Sequence, residues 1–430
     1  MLAGCRPSTV HELTILHFND LHDRLLPDPD GKGGVAHLAT LLKRERAAAH
    51  ASLTLHAGDL VQGTPVSTVF QGLPDYEIAN SLGIDVNCLG NHEFDYGWRR
   101  IRDFMQLANF PTVSANTVDA SGNRLVNPPY VIRDVGGIRV AVIGALLQNV
   151  LNSTTLDRLG PYHAAPTVET LRPVVAEAKQ QADMVIVLGH LEKPEAESVL
   201  RELPDVSVAV IGHEHTPWKE PLEVDGRFVV HAEGYGREVG RLVLQYDTAS
   251  RRITSHEWTG IAVDTSVYPA DPGVQAQVDM WEAKVSALVD VPIGRATRQL
   301  PRNEVKALME RAMLDRVDAD FSFTNRGGVR DILPEGELLA RHVWNVMPFD
   351  NRVVTLEVPG DQLAALTDPS GRTDPVVKER LDPQRVYRLV TTDFVAQSWA
   401  DIGKTFPLRD QGVLLRDLLI DWIQQKKVIP

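Results

Sequence analysis

The sequence is poor in cysteine. Its 430 residues include only two cysteines, Cys5 and Cys88, too few for a disulfide framework or for a zinc site built from thiolates. Hydrophobic residues make up 43% of the chain and charged residues 23%, as in ordinary soluble globular proteins. The composition therefore gives no indication of a disordered, fibrous or membrane-spanning protein.

Positive charge is also scarce. The chain has 44 Lys and Arg against 57 Asp and Glu, a formal net charge of -13. Such a balance repels polyanions, so we expect no nucleic acid polymer as a partner. A small phosphorylated substrate stays compatible with it if bound cations or a few arginines supply positive charge locally. Metal ligands are therefore the first functional groups to expect in this sequence.

One short motif stands near the N-terminus. Leu2-Ala3-Gly4-Cys5 resembles the lipobox of bacterial lipoproteins, in which the cysteine becomes the lipidated end of an exported protein. We expect a tail over residues 1–12 and an exported protein, periplasmic or at the cell surface, that meets the membrane only through lipid on Cys5. A chance tetrapeptide in a cytoplasmic protein is the alternative. With Cys5 lipidated, we expect Cys88 to be unpaired and buried.

The chain length predicts about two domains. Over the first 260 or so residues, short apolar runs alternate with helical segments, which predicts strands and helices packed in layers, an α/β fold. Five apolar runs end in Asp, Asn or His; they span Leu13 to Asp20, Ser52 to Asp59, Val86 to His92, Met184 to His190 and Val206 to His213. Since ligands bind beyond the carboxyl ends of strands in such sheets, we expect these polar residues to meet at one edge.

Apolar spacing of three and four predicts helices over residues 34–50, 167–181 and 195–203, and residues 241–263 are typical of a β-hairpin. A connecting helix is expected at 272–291, with an apolar stripe formed by Val274, Val278, Trp281, Val285, Leu288 and Val289. We place the first domain at 13–268, the connecting segment at 269–291 and a second, smaller α/β domain at 292–430.

The residues at the strand ends are carboxylates, an amide and imidazoles. They are Asp20, His22, Asp59, Asn91, His92, Asp95, His190, His213 and His215. This mixture suits manganese or zinc first, then magnesium, cobalt or iron, whereas copper sites favour sulfur. Each residue alone also fits ordinary turn or capping chemistry; their recurrence at successive strand ends predicts the site. The remaining nine histidines are expected to be structural.

These motifs, in their order along the chain, resemble the 5'-nucleotidase family of calcineurin-like metallophosphoesterases. The matching segments are FNDLH (18–22), GD (58–59), GNHEFDYG (90–97), GH (189–190), GHEH (212–215) and NRGGVR (325–330). The resemblance implies a four-layer αββα domain that binds two divalent metal ions and a C-terminal domain that binds the nucleotide. It assigns Asp20, His22 and His215 to one ion and Asn91, His190 and His213 to the other, with Asp59 bridging both.

The same resemblance implies a role for two residues that are not metal ligands. His92 would stabilise the pentacoordinate phosphoryl group or protonate the leaving oxygen. Asp95 would hold the His92 imidazole in the required tautomer and orientation. Water activated between two metal ions, as hydroxide, would attack the phosphorus in line with the leaving group.

In the C-terminal domain the resemblance implies nucleotide contacts by Asn325, Gly328 and Arg330, and stacking of the base between Phe349 and Phe394. A glycine turn and two core phenylalanines are the alternatives. Two segments depart from the family pattern. SWADIGKTF places Asp401, a substrate contact that the resemblance implies, one residue late. LPRNEVKAL lacks the glycine and asparagine of the family's GNL but keeps Arg302, from which we expect a contact to a phosphate. Both changes fall in the nucleoside half of the site.

We therefore expect a 5'-nucleotidase that releases phosphate from nucleoside monophosphates. A phosphodiesterase acting on 2',3'-cyclic nucleotides, or a hydrolase of UDP-sugars, would use the same metal pair. A nucleotide-binding module without turnover is an alternative of another class, although an oriented His92 and Asp95 weigh against it.

Overall fold

A computed structural model describes residues 9–363, 376–377, 382–398 and 405–430. Their helices are α1 (Val35–Ala48), α2 (Pro65–Phe70), α3 (Leu73–Ala79), α4 (Trp98–Leu107), α5 (Leu156–Leu159), α6 (Thr167–Ala178), α7 (Lys193–Glu202), α8 (Pro272–Val289), α9 (Arg302–Arg316), α10 (Ala340–Val346), α11 (Gly360–Leu363), α12 (Asp393–Ser398) and α13 (Leu415–Lys426). Among these residues, no helix combines the length and the apolar character that crossing a bilayer requires.

The strands up to residue 262 are β1 (Val10–Phe18), β2 (Ser52–His56), β3 (Val86–Cys88), β4 (Thr112–Val113), β5 (Thr117–Asp119), β6 (Tyr130–Val135), β7 (Ile138–Leu146), β8 (Tyr162–Ala164), β9 (Met184–His190), β10 (Val208–Gly212), β11 (Leu222–Val224), β12 (Arg227–Val230), β13 (Glu238–Asp247) and β14 (Arg252–Ala262). Those after residue 290 are β15 (Pro292–Ala296), β16 (Phe321–Ser322), β17 (Gly336–Leu339), β18 (Arg352–Pro359), β19 (Val376–Val377), β20 (Val386–Thr392), β21 (Arg409–Leu414) and β22 (Val428–Ile429).

The chain divides into two compact units. Unit 1 comprises Met1–Gln62, Phe70–Val150 and Leu156–Trp281, and unit 2 comprises Gly63–Val69, Leu151–Thr155 and Glu282–Pro430. The division falls within α8, the helix that the sequence predicts as a connector. The predicted domain limits stay predictions.

Two six-stranded sheets form the centre of unit 1. Their strand orders are β14-β13-β1-β2-β3-β4 and β11-β12-β10-β9-β7-β6. Alternate residues of the strands face each other between the sheets, where Leu13, Ile15, Val142 and Ile186 belong to one buried core. Side chains of opposite parity on the second sheet pack instead with α6 and α7. With α1 packed against β1 on the other side, the unit has the expected αββα layers.

Parallel pairing explains why the polar residues converge. β1, β2 and β3 run parallel in the first sheet, and β7, β9 and β10 run parallel in the second. The carboxyl ends of each group therefore lie at one edge of its sheet. The predicted hairpin is confirmed as β13 and β14, which pair from Glu238↔Ala262 to Asp247↔Arg252.

Unit 2 is built around two further sheets, ordered β17-β15-β22 and β19-β16-β20-β18-β21 within the described residues. The larger of its two cores joins α9 and α13 to the first of these sheets. The second, smaller core includes Phe321, Phe323 and Tyr387. The unit is thus a second α/β body, as the sequence predicts.

The prediction for Leu288 was wrong. Val274, Val278, Val285 and Val289 of α8 are buried, but Leu288 is 52% exposed. At about 100° per residue, Leu288 lies a quarter-turn or more from Val289. The buried stripe drifts toward Val289 in the last turn and leaves Leu288 outside it.

The structure describes one of the two cysteines, Cys88. Cys88 is buried and unpaired, as expected, and burial raises the pKa of its thiol well above the usual value. Cys5 lies outside the described residues, so the lipidation motif stays a prediction.

Candidate metal centre

The seven predicted metal ligands meet at the carboxyl ends of the parallel strands in unit 1. Asp20, His22, Asp59, Asn91 and His190 are buried, and His213 and His215 are partly exposed. Each residue lies in or directly after the strand that the sequence predicts for it. The site is therefore buried except on the side of His213 and His215.

One group of donors surrounds Asp20. Donor atoms of Asp20, His22, Asp59 and His215 all lie within 4.8 Å of one another. His215 Nε2 is 3.2 Å from Asp20 Oδ1, and His22 Nε2 is 3.1 Å from His215 Nε2. Two imidazole nitrogens this close present either lone pairs or a single shared proton, an arrangement that suits a cation between them.

A second group surrounds Asp59. His190 Nε2 lies 3.1 Å from Asp59 Oδ2 and 3.1 Å from Asn91 Oδ1. The ring of His213 meets the ring of His190 edge-on, with centroids 5.1 Å apart. The backbone N–H of His213 donates to Asp20 Oδ2 at 2.9 Å, which joins the two groups.

The far nitrogens of three imidazoles are fixed by hydrogen bonds. His22 Nδ1 donates to the carbonyl of Gln62 at 3.1 Å and His190 Nδ1 to that of Ala57 at 2.9 Å. His215 Nδ1 lies 2.9 Å from the Tyr235 hydroxyl. Anchoring Nδ1 turns Nε2 of each ring toward the carboxylates, which is how metal-binding histidines are commonly oriented.

One carboxylate oxygen tests whether the residues fit a metal ion. Asp59 Oδ2 is buried, and no described residue makes a hydrogen bond of acceptable geometry to it. His190 Nε2 approaches it only as an ion-pair contact. An ionised oxygen that lacks a well-formed hydrogen bond in a dry site is costly, and a divalent cation would satisfy it. The donor set therefore fits the metal ions that the family resemblance implies.

The charges of the site are strongly coupled. Burial alone would raise the pKa of Asp20, but His215, His190 and His22 hold it well below its usual range. Burial would raise the pKa of Asp59 as well, but His190 and His92 lower it below its usual value. Burial would lower the pKa of His190, yet the two carboxylates raise it to about 10. Asp20 and Asp59 are thus ionised, and their negative charges favour a cation at this site.

Several proposed ligands have an unusual backbone. Their φ angles are positive: 51° for Asp20, 49° for His22, 59° for Asp59, 91° for His213 and 58° for His215. Residues other than glycine rarely adopt this left-handed region. Such strain concentrates at functional sites, where the surrounding structure enforces it. At Gly90 a Cβ would lie 2.1 Å from Asp59 Oδ1, so glycine is required for this close approach.

His92 and Asp95 have the predicted relation. His92 Nδ1 donates to Asp95 Oδ2 at 2.7 Å, and the His92 ring lies edge-on to His22 with centroids 5.0 Å apart. The backbone N–H of His92 donates to Asp59 Oδ1 at 2.8 Å. His92 therefore lies beside the proposed ligands, held from both its side chain and its backbone.

Sequence reasoning missed Arg158 and Asn19. Arg158 Nη1 donates to Asp95 Oδ1 at 3.1 Å, so the carboxylate is held on both oxygens. Arg158 stands 63 positions after Asp95, and no motif links the two. Asn19 Nδ2 donates to Asp20 Oδ2 at 2.7 Å, and its position within FNDLH was the signal that could have revealed it.

Three of the histidines expected to be structural are buried in unit 1. They are His17, His56 and His231, and burial lowers their pKa values to about 3, 4 and 4 respectively. A neutral imidazole is the form that a buried structural histidine requires. His56 Nδ1 pairs with Asn87 Oδ1 at 2.7 Å, in keeping with that role.

In unit 2 the structure brings part of the predicted nucleotide site together. The guanidinium of Arg330 lies 5.9 Å from the Phe349 ring centroid. A Cβ on Gly328 would be 2.9 Å from Asn325 Oδ1, an atom that is buried without a hydrogen-bond partner in the described structure. Asn325, Gly328 and Arg330 lie in the loop after β16, and Phe349 lies in the loop after α10.

The other three predicted residues of unit 2 have different surroundings. Arg302 is exposed at the first residue of α9. Phe394 is partly buried against the smaller core, whereas Phe349, described above, is partly buried against the larger one. Asp401 lies outside the described residues.

Comparison with known proteins agrees with this geometry. The sequence model of the calcineurin-like phosphoesterases matches residues 13–217, and that of the 5'-nucleotidase C-terminal domain matches residues 285–373. A 5'-nucleotidase of Bos taurus is 31% identical over 82% of this chain and 70% of its own length. The chain belongs to the 5'-nucleotidase family of calcineurin-like metallophosphoesterases.

Two other relatives extend the likeness over more of the chain. Protein UshA of Yersinia enterocolitica is 26% identical over 90% of this chain and 85% of its own length. The crystal structure of a 5'-nucleotidase precursor from Thermus thermophilus has a TM-score of 0.86 at 26% identity and covers 97% of both chains. The predicted family, the fold class and a metal-dependent hydrolase are confirmed.

Proposed function

We propose that this member of the family is a 5'-nucleotidase that hydrolyses nucleoside monophosphates with two divalent metal ions. One observation carries the proposal: an oriented His92–Asp95 pair lies beside buried carboxylates toward which His22, His190 and His215 turn their Nε2 atoms. A site that only binds nucleotides does not require an oriented proton donor.

Asp20, His22 and His215 would hold one ion, Asn91, His190 and His213 the other, and Asp59 would bridge them. Two such ions lower the pKa of bound water and neutralise the phosphoryl oxygens. Carboxylate, amide and imidazole donors suit manganese or zinc first, with magnesium, cobalt or iron as further choices. This assignment is supported by the convergence of the seven side chains in unit 1.

The chain's own residues would then manage the proton. In the reaction a bond forms between a water oxygen and phosphorus, and the bond between phosphorus and the 5' oxygen of the ribose breaks. Because Nδ1 of His92 donates to Asp95, Nε2 is the nitrogen that would protonate the departing oxygen. Asp95, held also by Arg158, would stabilise the imidazolium before that transfer.

Unit 2 would supply the nucleoside contacts. Arg330 and Phe349 offer a guanidinium and an aromatic face, and Asn325 offers an amide. Arg302, Phe394 and Asp401 complete the proposed set by resemblance. Stacking accepts any base, so we expect broad base tolerance.

The test is hydrolysis of AMP, UDP-glucose, 2',3'-cyclic AMP and p-nitrophenyl phosphate, with and without Mn²⁺, by wild type and His92→Ala. The products are separated, because only the two monoesters, AMP and p-nitrophenyl phosphate, release phosphate in a single step. Manganese-dependent release from AMP that the variant loses supports the proposal. Preference for the cyclic nucleotide or for UDP-glucose would replace it with the corresponding diesterase activity. Hydrolysis of none of the four substrates with Mn²⁺, or with Zn²⁺, Mg²⁺, Co²⁺ or Fe²⁺ in its place, would contradict it.

A further inference from the structure

Glu93 lies inside the GNHEFDYG motif, and the proposed chemistry gives it no role. Its side chain is fully buried, in the short 3-10 turn His92–Phe94 that follows β3. The carboxylate accepts three backbone hydrogen bonds. Oε2 accepts from Gly90 at 2.6 Å and from Asp59 at 3.1 Å, and Oε1 accepts from Leu60 at 2.9 Å.

These three N–H groups belong to two different turns. Asp59 and Leu60 follow β2, and Gly90 follows β3 and precedes Asn91. The pairing of β2 with β3 covers only Leu55↔Val86 and His56↔Asn87, so the ladder ends before either turn begins. Beyond that point the Glu93 carboxylate connects the two turns in place of the ladder.

The connection bears directly on the bridging carboxylate. Asp59 has a φ of 59°, a conformation that costs free energy unless its surroundings hold it. Glu93 accepts a hydrogen bond from the backbone N–H of Asp59, and the backbone N–H of His92 donates to Asp59 Oδ1. Oδ2 is then the oxygen directed at His190 Nε2, 3.1 Å away.

We propose that Glu93 is the positioning residue of the metal centre: its carboxylate ties the turn after β2 to the turn after β3 and so sets the placement of Asp59 relative to Asn91. The inference rests on the proposed two-metal function, which it deepens. Glu93 acts through the backbone and contacts neither metal nor substrate.

Titration of the metal-free protein with Mn²⁺ tests this inference. A glutamine at position 93 has one carbonyl oxygen, which can serve two of the three N–H groups, while its own NH₂ would face the third. Alanine serves none. We expect Mn²⁺ affinity to fall about tenfold in Glu93→Gln and about a hundredfold in Glu93→Ala. Saturating Mn²⁺ should restore much of the kcat for AMP in both, because His92 and Asp95 are unchanged.

Glu310 provides a matched control. It is also a buried glutamate, 1% exposed, and it accepts a backbone hydrogen bond from Thr324 at 2.9 Å in unit 2. Glu310→Gln is expected to lower the thermal midpoint of the metal-free protein while leaving Mn²⁺ affinity at the wild-type value. The comparison separates metal positioning from a general loss of stability.

The outcomes distinguish this inference from the proposed function. Wild-type Mn²⁺ affinity in Glu93→Ala, or equal weakening in Glu93→Ala and Glu310→Gln, would overturn the positioning role and leave the two-metal function standing. A wild-type protein that binds no metal would overturn both. If Glu93→Ala does not fold, Glu93→Gln carries the same comparison, and wild-type affinity there would be decisive against the role.

Discussion

Replacing Asp95 with asparagine removes the negative charge that faces the His92 imidazole and keeps the size of the side chain. Asp95 is nearly buried, with 4% of its side chain exposed, so solvent screens the interaction little. A hydrogen bond to a charged group contributes about 1.5–3 kcal/mol. At about 1.4 kcal/mol per tenfold in rate, kcat should fall roughly 10- to 150-fold.

The assay is steady-state phosphate release from AMP at saturating Mn²⁺, with bound metal counted in the same preparations. We expect a lower kcat, a KM within about twofold of wild type, and unchanged metal content, because Asp95 touches His92 and not the proposed ligands. An unchanged kcat would refute the reasoning. A fall that merely follows metal loss would also refute it, since Asp95 would then act on the metal site.

Asp103 offers the matched control. It too pairs with an arginine, Arg100 at 2.9 Å, but its side chain is 52% exposed on α4. Asp103→Asn should leave kcat, KM and metal content unchanged, since an exposed ion pair contributes little. A loss of turnover in this variant comparable with Asp95→Asn would show that the effect is not specific to the His92 contact.

Arg158, the metal ions and the Lys306–Glu310 pair give three further predictions. Arg158→Met should lower kcat roughly fivefold, since a partly exposed ion pair is worth about 1 kcal/mol, and added guanidinium should restore part of it; no loss would place Arg158 outside the chemistry. Chelation of metal should abolish AMP hydrolysis and lower the thermal midpoint, and Mn²⁺ at a hundred times its Kd should return about 2.7 kcal/mol of stability per site; a midpoint unaffected by Mn²⁺ would argue against metal binding. Lys306→Met leaves the buried Glu310 without its ammonium partner and should cost about 3 kcal/mol in denaturant unfolding. Burial raises the pKa of Glu310, so the folded state binds a proton there more readily than the unfolded state. The variant should therefore regain stability as the pH falls from 8 to 5, and a loss of stability on acidification would contradict this.

The sequence predicted which polar residues meet at this edge of the sheets, because these residues end the apolar runs that form the strands; their role as metal ligands stays a prediction. A fully buried parallel strand is a continuous apolar run, and the polar residue that ends it is placed at a known edge of the sheet. Asp59, Asn91 and His190 are such residues, and the structure brings them into contact. The order of the strands within each sheet was not predicted, because hydrophobic patterning does not encode which strands are neighbours.

Contacts between side chains that are far apart along the chain could not be predicted from the sequence either. Arg158 reaches Asp95 from α5, and no periodicity predicts that meeting. The sequence could not predict the hydrogen bonds of Glu93 for another reason: their donors are backbone N–H groups, which leave no signature in residue type. Leu288 shows the limit of periodicity itself, since helical spacing predicts a stripe but not how far its neighbours cover it.

The central claim is that Asp59 bridges two metal ions, and electron paramagnetic resonance of the manganese-loaded protein tests it most directly. We predict the exchange-coupled signal of two neighbouring Mn²⁺ ions, with two ions bound per chain, and the loss of both the coupling and AMP hydrolysis in Asp59→Ala. The signal of a single isolated Mn²⁺ ion in a wild-type protein that hydrolyses AMP at full rate would contradict the account.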